Sequence, residues 1–91
     1  MTMTESHQQA VTVRFFARLR EELDTDSLTL PVTPGMTAGT LLAELATRGG
    51  AWAQLCGDQP VMIAVNQAMA KPGTVLSGGD EVAFFPPVTG G

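Results

Sequence analysis

A single stretch of the chain carries a helical stripe of apolar residues. Ala38, Leu41, Leu42, Leu45 and Ala46 recur at i, i+3, i+4, i+7 and i+8, and Thr37 is placed to cap the start. Arg48 near the end of this helix suits its dipole, and Gly49-Gly50 supply residues able to turn left-handed and stop it. The other apolar residues alternate with polar ones or run in short blocks, the pattern of strands. One helical stripe has to be buried against something, and the only partner the rest of the chain offers is a sheet. With 91 residues there is room for one such domain and no second.

Val11, Val13, Phe15, Ala17 and Leu19 alternate with Thr12, Arg14, Phe16, Arg18 and Arg20, which predicts a first strand buried on one face. Phe16 falls on the polar side of that alternation, so it is either a packing residue or a first element of a contact surface. After the polar, turn-like residues 21–26, the run Ser27 to Val32 alternates again, and residues 11–32 read as a hairpin. Val61 to Val65 reads as a strand buried on both faces, Asn66-Gln67 as a turn, and Ala68 to Ala70 as a brief return strand. Lys71-Pro72-Gly73 and Ser77-Gly78-Gly79-Asp80 are turns, the second leading into a last strand, Glu81 to Phe85. The order strand, strand, helix, strand, short strand, strand predicts an α+β roll. Its two most apolar strands, the first and the last, are candidates for a parallel central pair.

Composition excludes several functions. Five Lys+Arg against nine Asp+Glu give a formal net charge of −4, the wrong sign for a nucleic-acid surface. One cysteine, Cys56, and one histidine, His7, cannot furnish a structural zinc site or a disulfide, so no metal is expected. Cys56 reads as a small apolar filler. No apolar run approaches the roughly 20 residues of a membrane helix, and Met1 to Ala10 lacks the charge and hydropathy pattern of a secretory signal. A soluble, cytoplasmic chain is expected, with residues 1–10 as a disordered tail, 11–85 as the folded domain and 86–91 as an extended end.

That end carries the chemistry. Two successive prolines, Pro86-Pro87, lack N–H donors and cannot continue a sheet, so Pro86-Pro87-Val88-Thr89-Gly90-Gly91 projects from it. Fully extended, it reaches about 20 Å, enough to enter another protein's cleft. Gly90 and Gly91 have no side chains, which permits a narrow channel and leaves a terminal carboxylate as the group able to react. A carboxylate becomes an electrophile when it attacks the α-phosphate of ATP, giving an acyl-adenylate that sulfur can displace. The chain has no phosphate-binding loop, no Cys/His pair and no serine with a base, so the catalytic groups belong on a partner.

Ala64-Val65-Asn66-Gln67 and the block Gly79 to Gly91 (GDEVAFFPPVTGG) resemble the MoaD family, the small subunits of molybdopterin synthase. The likeness runs over about residues 11–91, with Phe15-Phe16-Ala17 a weaker match. It implies a β-grasp, ubiquitin-like roll: a mixed sheet with one main helix across it. It also implies a sulfur carrier with no bound cofactor. A MoeB-like enzyme would spend ATP to adenylate Gly91, which then becomes a thiocarboxylate. A MoaE-like large subunit would receive the tail, in a heterotetramer that converts cyclic pyranopterin monophosphate to the dithiolene of molybdopterin. By that likeness Gly91 and Gly90 are the reactive tip, while Phe84, Phe85, Pro86, Pro87, Val88, Thr89 and Phe16 face the partner.

The same residues have plainer readings. A Gly-Gly end is by itself equally a loose terminus; Phe84 and Phe85 point to opposite faces, so one belongs to the core. Asp80 and Glu81 either dock on a basic groove or are merely solvated. Lys71 reads as a turn residue. Rival functions are a ThiS-like carrier for thiamine thiazole synthesis, which the Phe-Phe-Pro-Pro segment argues against, a ubiquitin-like modifier forming isopeptide bonds, and a non-covalent binding module.

Overall fold

The first strand, β1 (Ala10–Phe15), follows the expected alternation: Val11, Val13 and Phe15 are buried and Thr12 and Arg14 exposed. In this computed structural model, which describes residues 9–57 and 60–87, the strand stops there. The expected extension of the strand through Leu19 is corrected: Ala17–Leu23 is a helix, α1, begun by Phe16 in an extended conformation and by Ala17 at a φ of 54°. The physical reason lies in composition. Ala, Arg, Leu and Glu are strong helix formers, Leu19 and Leu23 bury themselves at i, i+4, and Arg18 and Glu22 lie 3.6 Å apart at the same spacing. A two-residue period and a four-residue period both include Leu19, and over so short a run the helical one wins. Asp24, left-handed at φ 53°, closes α1 by donating its N–H to the carbonyls of Arg20 and Glu21.

Next comes β2 (Ser27–Pro31), antiparallel to β1 and at the sheet edge, where Pro31 costs no ladder bond. The stripe noted in the sequence forms α2 (Ala38–Ala46), with Ala38, Leu41 and Leu45 buried. Three of its first amides are met: Thr40 N donates to the Thr37 side chain at 3.1 Å, Ala38 N to Thr74 O at 2.9 Å, and Gly39 N to Pro72 O at 2.8 Å. Gly39 is there because of that close approach, since a Cβ would meet the Pro72 ring at 3.0 Å and its carbonyl oxygen at 3.1 Å. Removing the cap by Thr37→Ala is expected to cost about 1 kcal/mol, lowering the melting temperature by about 4–8 °C in a circular-dichroism melt.

A 3-10 helix (Gly50–Cys56) follows, entered through Gly49 and Gly50 at φ 79° and 57°. Arg48 lies beyond α2 and covers the Trp52 ring at 4.8 Å rather than serving the helix dipole. Leu55 turns inward, which leaves its neighbour Cys56 exposed; the expected filler role of Cys56 is thereby overturned. The hairpin β3 (Met62–Val65) and β4 (Ala68–Ala70) turns through Asn66 and Gln67, both left-handed at φ 53° and 71°, as a two-residue hairpin loop requires. The last strand is β5 (Glu81–Phe85).

The sheet order is β2-β1-β5-β3-β4, with β1 and β5 parallel and the other pairs antiparallel. One face carries the core: Val11, Val13, Phe15, Val82, Phe84 and Ile63 pack with Leu41 and Leu45 of α2 and Leu19 of α1. Phe15 sits edge-on to Trp52, with centroids 5.5 Å apart, and tilted against Phe84 at 6.1 Å. Among the described residues no helix lies over the opposite face. Among the described residues no helix is long and apolar enough to cross a membrane.

Candidate functional site

The expected reactive segment leaves the sheet from the centre. β5 is flanked by β1 and β3; its ladder with β1 ends at Phe84 and its ladder with β3 at Phe85, before Pro86 and Pro87, which are half-buried. Val88, Thr89, Gly90 and Gly91 lie outside the described residues, as do residues 1–8 of the expected N-terminal tail. The described geometry is therefore that of the root.

That root is buried on its inner side. Phe84 is 0% exposed, wedged with Phe15 in the core, so the expectation that its side chain meets a partner is corrected: in a strand, consecutive residues cannot share a face. Phe85, on the opposite face and half-buried beside its cross-strand partner Met62, remains available. Phe16 is 41% exposed, but not as the outward residue of a longer strand. It caps α1, and its backbone N–H donates to Phe84 O at 3.3 Å, tying it to the end of β5. The fold thus brings together two residues far apart in sequence, Phe16 and Phe85, on one side of the tail root.

The register fills in the face between them. Arg14 pairs with Ala83, and Ala83 with Ala64, whose other neighbour is Met69, 62% exposed. Arg14 Nη1 lies 3.1 Å from Glu81 Oε2, and its guanidinium covers the Phe16 ring at 5.6 Å. Arg14, Phe16, Gln67, Glu81 and Ala83 line a hollow of about 160 Å³. The part of Arg14 in this surface was not read from the sequence. Its signal was there: an arginine on the outward side of a strand, two residues before an aromatic.

The acidic turn has a structural role. Asp80 accepts hydrogen bonds from Asn66 Nδ2 at 3.0 Å and from Ser77 N at 2.8 Å, and Asn66 Oδ1 accepts from Glu81 N at 3.0 Å. These bonds clip the β3–β4 turn to the start of β5, at the end remote from the tail. Lys71 lies in a turn closed by Thr74, whose N–H donates to Lys71 O at 2.9 Å. Among the described residues no group of three or more His, Cys, Asp or Glu is arranged to hold a metal ion.

The sequence matches the ThiS family over residues 13–91. A molybdopterin synthase sulfur carrier subunit of Escherichia coli is 41% identical over 81 residues, covering 89% of this chain and 99% of the relative. One of the same name from Haemophilus influenzae is 38% identical over 79 residues, 87% of this chain and 96% of the relative. Among solved structures, SAMP1 from Haloferax volcanii superposes with a TM-score of 0.76 at 28% identity, over 90% of this chain and 99% of that one. A complex of subunits 1 and 2 of molybdopterin-converting factor from Helicobacter pylori gives 0.61 at 25% identity, over 90% and 99%. These likenesses identify the sheet and its helix as a ubiquitin-like β-grasp.

Proposed function

The chain belongs to the ThiS family, and from that membership and the geometry of the β5 end we propose that it is the sulfur carrier subunit of a molybdopterin synthase. The observation that carries the reading is the asymmetric root: Phe84 is buried in the core, whereas Phe85 lies half-buried on the opposite face and is followed by the half-buried Pro86 and Pro87. The names borne by relatives at 38–41% identity favour this carrier over one for thiamine thiazole synthesis.

In this mechanism the Gly91 carboxylate attacks the α-phosphate of ATP held by a MoeB-like enzyme, and pyrophosphate leaves. A sulfur nucleophile then displaces AMP from the acyl-adenylate, giving a thiocarboxylate. The carrier next enters a MoaE-like large subunit, where two carriers in succession supply the two sulfurs of the dithiolene to cyclic pyranopterin monophosphate. The chain contributes the sulfur and the docking face; acids and bases belong to the large subunit, ATP to the activating enzyme, and the setting is the cytoplasm. The Helicobacter pylori complex supports a large-subunit partner.

Reconstitution with each acceptor tests the pathway. Thiocarboxylated chain plus large subunit is expected to convert cyclic pyranopterin monophosphate to molybdopterin, and to leave a thiazole-forming system inactive; the reverse pattern would refute the assignment.

A further inference from the structure

We propose that Arg14 and Glu81 act as one docking unit: an ion pair that the large subunit covers, lining a hollow that takes an uncharged apolar side chain of that subunit. The inference rests on the carrier reading above.

The location comes from the register. Arg14 pairs with Ala83, two residues before Phe85, and Phe16 is hydrogen-bonded through its backbone to Phe84. The hollow runs along the open sheet face from Phe16, beside this root, to Glu81 and Gln67 at the far end of β5, so a protein that takes in the chain from Pro86 onward and lies along that face covers it. Of the large apolar side chains exposed among the described residues, Phe16 and Met69 lie on or beside this face.

The chemistry of the occupant comes from the charges. Arg14 and Glu81 neutralise each other at 3.1 Å, with side chains 49% and 34% exposed. The pair therefore presents no net charge to a partner, and an ionic side chain entering the hollow would meet one like charge for each opposite one. An apolar side chain instead fills the 160 Å³ over the Ala83 floor and against the Phe16 ring. The guanidinium has five N–H donors, of which Glu81 occupies one in this structure, leaving donors for backbone carbonyls of the partner segment. Arg14 also holds the Phe16 ring in place from above.

An ion pair covered on binding behaves differently from an exposed one. Removing one member leaves the other buried and unpaired, whereas replacing both with apolar groups avoids that penalty. The test is a titration of the large subunit with the unmodified chain, Glu81→Leu, Arg14→Leu and the double variant, with Trp52 fluorescence melts to verify folding. Glu81→Leu is expected to weaken binding by about tenfold or more, and the double variant to regain most of that loss. Single-variant affinities within about twofold of the unmodified chain, or losses that simply add in the double variant, would overturn the docking unit while leaving the carrier assignment intact. Absence of binding by the unmodified chain would overturn both.

Discussion

A chain lacking Gly91 is expected to lose sulfur transfer completely while melting within about 2 °C of the full chain, because a glycine has no side chain to contribute to packing. Among the described residues the core ends at Phe84, and Phe85 is the last with a ladder partner, Met62. The chemistry requires a carboxylate at a fixed distance from that anchor, and shortening the segment by one residue withdraws it by about 3.3–3.6 Å from any site built to receive it. A displacement of that size is more than a nucleophilic displacement tolerates, since reacting atoms need to be held at about 3–3.5 Å. Adding a residue after Gly91 is expected to be equally inactivating, because it moves the carboxylate as far in the other direction. Activity is read as molybdopterin formed with the large subunit, and folding by circular dichroism. A shortened chain that is unfolded, or one that still transfers sulfur, would refute this account of the segment.

Phe84→Ala is expected to have the opposite signature, with stability failing first. Phe84 is 0% exposed and tilted against Phe15 at 6.1 Å, at the junction of β5 with β1 and β3. Emptying such a site costs about 3–5 kcal/mol. A domain of this size has about 5–15 kcal/mol in all, so the melting temperature is expected to fall by about 15 °C or more. Phe85→Ala provides the contrast. Its ring is half-buried on the open face, so its loss is expected to change the melt by only a few degrees and to appear instead as weaker binding to the large subunit. A pair of melts in which Phe85→Ala is the more damaged protein would mean that the two faces of β5 have been assigned the wrong way round.

The parts of the fold legible in the sequence were those with a long or exclusive period. The stripe from Ala38 to Ala46 has no strand-like alternative, and α2 spans those residues. Asn66-Gln67 and the short return strand were legible because a two-residue loop fixes the register of both sides. The segment after Phe15 was not, because Ala17 and Leu19 continue the two-residue alternation while Leu19 and Leu23 begin a helical one. What decides is tertiary: Leu19 and Leu23 both reach the core only from a helix. Cys56 was misread for a related reason, since composition does not say on which side of a 3-10 helix a small residue falls. For the candidate site, Phe16 and Phe85 were legible as aromatics beside the end of β5, while residues 88–91 lie outside the described residues. The sequence left open which of Phe84 and Phe85 is inward, which depends on the pairing of β5 with β1. The Arg14–Glu81 pair lies 67 residues apart in the chain and exists because two strands meet in parallel.

The central claim is that this chain carries sulfur on its last residue. It is tested most directly by the intact mass of the chain after incubation with a MoeB-like activating enzyme, ATP and a sulfur source, beside a chain lacking Gly91. The account predicts a gain equal to one oxygen replaced by one sulfur, in the full chain alone. An unchanged mass with an enzyme shown to be active, or the same gain in the shortened chain, would contradict it.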